Sequence, residues 1–459
     1  MMYPADCRNL VFFFFFFFFF LFFFGFCNFS SVSGIREIPI GALLDFSSHE
    51  GSMASTCLSM SLSDFYSLNS DYTTRLSLLT RNYSGILDSA SGAVDLLNNG
   101  VVAILGPLRS SEAAFVIEIG ANSHVPVVSF SATSPSLSLY KSPYFIRAAQ
   151  VDSFQVNAIV SIIQKFGWHQ VALVYEDTEF GNGIIPFLTD ALLDSDIKLS
   201  IKSGIPLSAQ DSEILTKLNE LKSMWTRVFV VHMTSSIGSR LFALADKAGM
   251  MSEGFAWIVT DSLSNSVDVL APIFIDAMEG VLGIRPFIPK SRNLDNFKLR
   301  LKRKILSTHP TMITTEPDIF CLWAYDTIWA LADAIERAGL GFINSTLLKP
   351  NNKHTVINYV SNLGVSTVGP KLVGEILKTR FRGLSGEFNL VGGQLQPCAY
   401  EIFNVIGKGA RPIGYWSSEH GITRRQGTSI THLKSVIWPV TQQERRGAGP
   451  CPLPVAGHL

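Results

Sequence analysis

The stretch 101–138, VVAILGPLRSSEAAFVIEIGANSHVPVVSFSATSPSLS, restricts the folds open to this chain more than any other. An apolar run too short for a helix, 101–105, ends at Gly106-Pro107, and Ser110 and Ser111 then stand where a helix must begin. A second short apolar run, 125–130, follows and ends in Ser131, Thr133 and Ser134. This order reads strand, turn, helix, strand, turn. Parallel strands joined by right-handed crossovers all end on one side of their sheet, so both hydroxyl-bearing turns fall on the same edge. The first N–H groups of a helix have no partner within it, and with the helix dipole they favour an anionic group such as a carboxylate. The stretch predicts a shelf for a small ligand.

The same cadence runs on either side of it. Strand 38–44, an amphipathic segment near 55–68, strand 74–79 and helix 86–97 lead into the shelf; Ile86, Ala90, Ala93 and Leu97 are at helical spacing, and Asn98-Asn99-Gly100 ends that helix. After residues 144–147 a second series begins, with helix 153–166, strand 171–175, helix 183–193, helix 212–222, strand 228–232, helix 239–249 and strand 255–260. Strands that alternate with helices predict parallel sheets covered on both faces. The remainder holds a strand at 280–287, a helix at 294–306, a long apolar helix at 318–338, and segments 383–391 and 399–406 that read as a hairpin around Gly392-Gly393. These are too few for a third core. They complete the two lobes already begun, so the chain crosses between lobes more than once and a hinged cleft follows.

With 37 basic and 37 acidic side chains in 459 residues, no net field attracts nucleic acid or an acidic membrane. The dense basic run 298–304, KLRLKRK, has apolar residues interleaved and reads as the solvated side of a helix. Arg8 and the phenylalanine-rich run 10–26 resemble a secretory leader, with Ser31 and Ser33 placed for cleavage after residue 33. The run falls short of the roughly 20 residues that span a bilayer, which favours a removed leader over an anchor. Asn82 and Asn344 open glycosylation sequons that agree with secretion. Beyond the leader the cysteines are Cys57, Cys321, Cys398 and Cys451; their spacing suggests no metal site, and it leaves the disulfide pairing open. His49, His124, His169 and His232 are scattered and read as surface or strand-end histidines. Trp323, Tyr325 and Trp329 lie on the long apolar helix and read as core. No G-x-S-x-G, P-loop, G-x-G-x-x-G after a strand or H-E-x-x-H is present, so neither an enzyme nor a cofactor is expected.

In one order the chain carries VVAILGP, SATSPSLS, SPYFIRA, FGWHQVALVYED, FVVHM, AMEGVLGI, LWAYDTIWALADAIERAG and GLSGEF…GGQLQPCAYEIFNVIGKGARPIGYW. These segments resemble the amino-terminal domain of plant glutamate receptor-like channels, over about residues 36–439. The wider family has the type I periplasmic-binding-protein fold: two lobes, each a mainly parallel, doubly wound sheet with helices on both faces. The resemblance implies a leader at 1–33, lobe 1 at about 34–147 and 288–377, lobe 2 at about 148–287 and 378–416, a linker at 417–440, and a tail at 441–459.

For function, the resemblance implies an extracellular, non-enzymatic domain that senses an amino-acid-like small molecule and assembles with like or sister subunits. The alternative is an assembly or decoy module without a ligand. Ser110, Ser111, Ser131, Ala132 and Thr133 would meet the ligand carboxylate, while Tyr175, Phe180 and Asp261 would come from lobe 2, with Asp261 opposite the ammonium. Phe180 departs from the tyrosine that amino-acid-sensing relatives often carry. The same residues have plainer uses, Ser110, Ser111 and Asp261 in capping helices and Ser131 to Ser134 in closing a turn. Related animal receptors tie the regions of Cys57 and Cys321 by a disulfide, with Cys398 the rival partner. In the plant family a chain reading LKSVIWP continues into an agonist-binding domain and a pore; here VTQQERRGAGPCPLPVAGHL follows, which predicts a chain truncated before the channel.

Overall fold

A computed structural model describes residues 35–137, 142–308, 316–340, 347–348, 364–397, 399–407, 409–426 and 431–438. The leader, Asn344, Cys398 and the tail lie outside the described residues.

The chain begins as its hydrophobic period dictates, with β1 (Arg36–Leu44), α1 (His49–Leu68), β2 (Thr74–Asn82), α2 (Ile86–Asn98), β3 (Ile104–Leu105), α3 (Ser110–Asn122), β4 (Val127–Ser129) and β5 (Phe145–Arg147). It crosses to a second lobe and builds α4 (Val156–Lys165), β6 (Gln170–Glu176), α5 (Glu179–Gly183), α6 (Ile185–Leu193), β7 (Lys198–Ile205), α7 (Asp211–Ser223), β8 (Val228–His232), α8 (Ser235–Lys247), β9 (Ala256–Val259), α9 (Asp261–Ser264), α10 (Pro272–Ala277) and β10 (Leu282–Pro286). It then returns to lobe 1 for α11 (Arg292–Thr308), α12 (Ile319–Arg337), a two-stranded ribbon of β11 (Leu347–Leu348) and β12 (Val365–Ser366), α13 (Gly369–Lys378), β13 (Arg380–Arg382), β14 (Glu387–Val391) and β15 (Gln394–Leu395). A third crossing ends in β16 (Tyr400–Ile406), β17 (Gly409–Ser417) and β18 (Gly421–Thr423) of lobe 2.

Each lobe has an eight-stranded sheet, in the orders β13-β14-β15-β5-β4-β3-β1-β2 and β18-β17-β16-β10-β9-β8-β6-β7. The strands of the first passes pair in parallel, and the returning strands add antiparallel edges. Side chains alternate between faces along a strand. Accordingly Ile38, Ile40, Ala42 and Leu44 of β1 face α1, α12 and α13, while Leu43 faces α2 and α3. In lobe 2, Ala172 and Val174 join α7 and α8, while Val171 and Leu173 join α4 and α6. Both sheets are therefore buried on both faces.

The return path differs from the expected one. Residues 383–391 and 399–406 do not pair as a hairpin, and the last crossing falls after residue 395 rather than at 378. Gly392 and Gly393 take φ of +57° and +76°, a left-handed pair that closes β14 tightly on β15. Gln394 then pairs with Arg147 of β5, which holds the hairpin in lobe 1, and β16 goes on to pair with β10 in lobe 2.

In lobe 1, Cys57 of α1 is bonded to Cys321 of α12, with both residues buried among Met53, Phe297, Leu301 and Leu322. Trp323 and Tyr325 are buried, and Trp329 meets Phe65 edge to face at 5.2 Å, so that cluster is core. On α11, Leu294, Phe297, Leu301 and Ile305 face inward; Leu299, placed between the lysines, points to solvent.

Candidate functional site

The turns after β3 and β4 do lie together at the C-terminal edge of the lobe 1 sheet, but their polar groups serve the turns themselves. Ser110 is the first residue of α3 rather than its cap, and its hydroxyl accepts the Ser134 N–H at 3.3 Å. The Ser111 hydroxyl donates to Glu112 Oε2 at 2.6 Å, and that of Ser131 to the Leu108 carbonyl at 2.9 Å. Ala132 N–H donates to Ser129 Oγ at 3.0 Å. Of the expected shelf, Thr133 alone turns toward the hinge: its carbonyl accepts the Asp152 N–H at 3.1 Å, and its hydroxyl lies beside the Asp152 carboxylate.

Lobe 2 is seated on this shelf. Ser134 Oγ donates to the Glu179 carbonyl of α5 at 2.9 Å, and a Cβ on Gly183 would lie 2.0 Å from Ser134 Oγ. Only glycine permits so close an approach. Farther along the cleft Ser235 Oγ stands 3.5 Å from Glu50 Oε1. The lobes are therefore closed over the shelf.

Behind it, where the chain crosses between lobes, a polar cluster is buried. Asp152 and Gln155 from the first crossing and His232 from the end of β8 are fully buried, and Asp261 at the start of α9 and Tyr400 at the start of β16 nearly so. Gln155 Nε2 donates to Asp152 Oδ1 at 3.2 Å and to Asp261 Oδ1 at 2.6 Å, while its Oε1 accepts the Asp261 N–H at 2.9 Å. Both amide hydrogens and the carbonyl oxygen are thus engaged, which fixes both carboxyls. His232 Nδ1 meets Thr260 Oγ1 at 2.9 Å, and its Nε2 stands 3.9 Å from Asp152 Oδ2, too far for a hydrogen bond. Asp152 Oδ2, His232 Nε2, Tyr400 Oη and Arg147 Nε make no hydrogen bond among the described residues.

The electrostatics follow from burial. Burial and then the neighbouring Asp261 carboxylate push Asp152 well above the ordinary carboxylate range, and burial raises Asp261 to about 6. Burial lowers His232 to about 3, so its ring is neutral, and lowers Arg147 to about 10, where it stays charged and attracts Asp152. Asp152 is thus subject both to the like charge of Asp261 and to the opposite charge of Arg147.

Phe180 and Asp261 belong to this cluster, Phe180 by lying over the His232 ring at 4.2 Å. Tyr175 does not; it is half-buried on β6 with its ring across Gly204 of β7. His232 is a strand-end residue, but it is in the core of the site and not on the surface. Asp152, Gln155, Arg147 and Tyr400 were not anticipated. The available signal was their position: charged and amide residues in IRAAQVDSFQ and a tyrosine in PCAYE, directly at the crossings. Among the described residues no group of three or more His, Cys, Asp or Glu could hold a metal ion.

Two α/β lobes joined by three crossings, with a closed cleft between their strand ends, define a periplasmic-binding-protein-like architecture. Its sequence family is equally clear. The model of the receptor family ligand binding region matches residues 53–408. Glutamate receptor 2.2 of Arabidopsis thaliana is 43% identical over 419 residues, covering 89% of this chain and 44% of that protein. Glutamate receptor 2.3 of the same plant is 41% identical over 445 residues, covering 94% and 48%. The chain belongs to the receptor ligand-binding-region family, as an amino-terminal domain of the plant glutamate receptor-like kind. It spans less than half the length of these relatives. The family is one of receptor regions rather than enzymes. No helix among the described residues is long and apolar enough to cross a membrane.

Proposed function

We propose that this chain is an extracellular sensing domain whose interlobe cleft takes a small amino compound such as a free amino acid. Asp152 and Asp261 would be the acceptors for the ammonium, and Thr133 with the shelf backbone would face the carboxylate. The observation that supports this most is the charge balance of the cluster. Ionised, Asp152 and Asp261 outnumber Arg147, and a buried net charge is costly unless it is neutralised by a proton or by a cation. A ligand ammonium supplies that cation and gives Asp152 Oδ2 a donor. Secretion is supported by the phenylalanine-rich leader, by the Cys57–Cys321 bond and by Asn82, which is exposed and whose side-chain carbonyl oxygen accepts the Phe46 N–H at 2.9 Å.

The second reading is an assembly module without a ligand, working beside like or sister subunits. It is favoured by the internal bonds of Ser110, Ser111 and Ser131 and by the seating of α5 on the shelf. Titration calorimetry of the full chain against the common free amino acids separates the two. Heat of binding that is lost in Asp261→Ala supports sensing; no heat from folded protein with any of them leaves assembly.

A further inference from the structure

Residues 431–438, THLKSVIW, lie beyond the last strand and yet are held by an extensive set of contacts, all of those described below being with lobe 2. The most telling partner is Asn404, a fully buried amide in β16 between the apolar Phe403 and Val405. Its Oδ1 accepts the Ile437 N–H at 2.8 Å, and its Nδ2 donates to the Ile437 carbonyl at 3.2 Å and to the Val281 carbonyl at 3.3 Å. A buried amide is tolerated in a sheet only when its bonds are made, and two of these three come from a single residue of the segment. Lys434 N–H donates to the Ile413 carbonyl of β17 at 2.8 Å, and Lys165 at the end of α4 reaches the Thr431 carbonyl at 3.2 Å.

The side chains repeat the pattern. Leu433, Val436 and Trp438 pack on the lobe 2 core, and Trp438 meets Phe166 and Trp168 edge to face at 5.4 and 5.8 Å. Such ring pairs add to the area they bury. We propose that 431–438 is a clasp that moves with lobe 2 as one body, so that rotation of lobe 2 about the hinge sets the position and direction in which the chain leaves residue 438. Movement of the cleft would then be delivered at that exit without passing through lobe 1.

Two measurements on the full chain test this. In native-state hydrogen exchange, the amides of Lys434 and Ile437 should be protected at least roughly 100-fold over a free chain. Asn404→Leu, which keeps an apolar core, should release the Ile437 amide while β6 and β8 stay protected. Ile437 exchanging at the free-chain rate in the unaltered protein would overturn the proposal. Asn404→Leu is also to be compared with Trp438→Ala, which leaves the strand intact. In the second measurement, distance distributions are recorded from a genetically encoded spin label at Ser435 to one at Trp225 of lobe 2 and, separately, to one at Leu87 of lobe 1; both partner positions are exposed. The Trp225 distribution should be the narrower. Equal widths, or the reverse, would overturn it.

Discussion

The two halves of the cleft are built from the same kinds of polar residue and are used in opposite ways. On the lobe 1 shelf the side chains of Ser110 and Ser131 bond across from one turn to the other, to Ser134 and Leu108, and that of Ser111 bonds to its neighbour Glu112. At the hinge, Asp152, His232, Tyr400 and Arg147 each keep an atom without a hydrogen bond although they are buried. A buried polar group left without a partner is expensive, and natural structures keep few of them. The shelf serine hydroxyls are therefore already partnered, and the hinge cluster is the part of the cleft whose side chains have bonds left to give.

The comparison breaks most decisively through ligand affinity. If the hinge cluster holds an ammonium, Asp152→Asn should weaken amino-acid binding by about 3–5 kcal/mol, the effect of leaving one partner of a buried pair uncompensated. The measure is calorimetry on protein whose melting temperature shows it folded. A variant that binds as tightly as the parent would remove Asp152 from the site.

Next in size is the fit of α5 on the shelf. Gly183→Val places side-chain atoms where Ser134 Oγ now lies, so overpacking should cost about 1–3 kcal/mol in urea unfolding or force the lobes apart. Small-angle scattering distinguishes these: an enlarged radius of gyration means opening, an unchanged one means strain held within a closed cleft. Neither loss of stability nor expansion would mean that the lobes do not close on Ser134.

Protonation sharpens the contrast further. Asp261 is raised to about 6 from an unfolded value of 3.8, so its contribution to stability is greatest below pH 4 and is lost as pH rises through 6. His232, lowered to about 3 from 6.5, acts the other way, and stability is lost as pH falls from 6.5 toward 3. Between pH 4 and 6 the two oppose each other. His232→Gln removes the opposing slope, so the fall of stability with rising pH should steepen by up to about 1.4 kcal/mol per pH unit. Urea midpoints at half-unit intervals read this directly, and an unaltered slope would contradict the burial of a neutral imidazole.

The smallest effect belongs to the shelf. Ser131→Ala should cost about 0.5–1.5 kcal/mol of stability, for the bond to the Leu108 carbonyl, and should leave affinity unchanged. A loss of affinity with stability intact would return the hydroxyl to the ligand.

Much of this architecture is written locally. The strand and helix alternation, the covered sheets and the shelf turns follow from apolar runs, helical spacing and Gly, Pro and Ser punctuation, each read over a dozen residues or so. The Cys57–Cys321 bond, expected from family likeness alone, joins residues 264 apart, and no local pattern distinguishes Cys321 from Cys398 as the partner. Two further matters were decided only in three dimensions. One is the last crossing, displaced beyond residue 395 because Gly392-Gly393 turns β14 back onto β15 and into lobe 1. The other is the polar cluster at the hinge, since Gln155 and Asp261 are separated by 106 residues and owe their 2.6 Å contact to the convergence of the first crossing on the end of β9. Hydrophobic period dictates which residues are buried; it carries no information on which buried polar groups, brought from distant points of the chain, will face one another without enough partners.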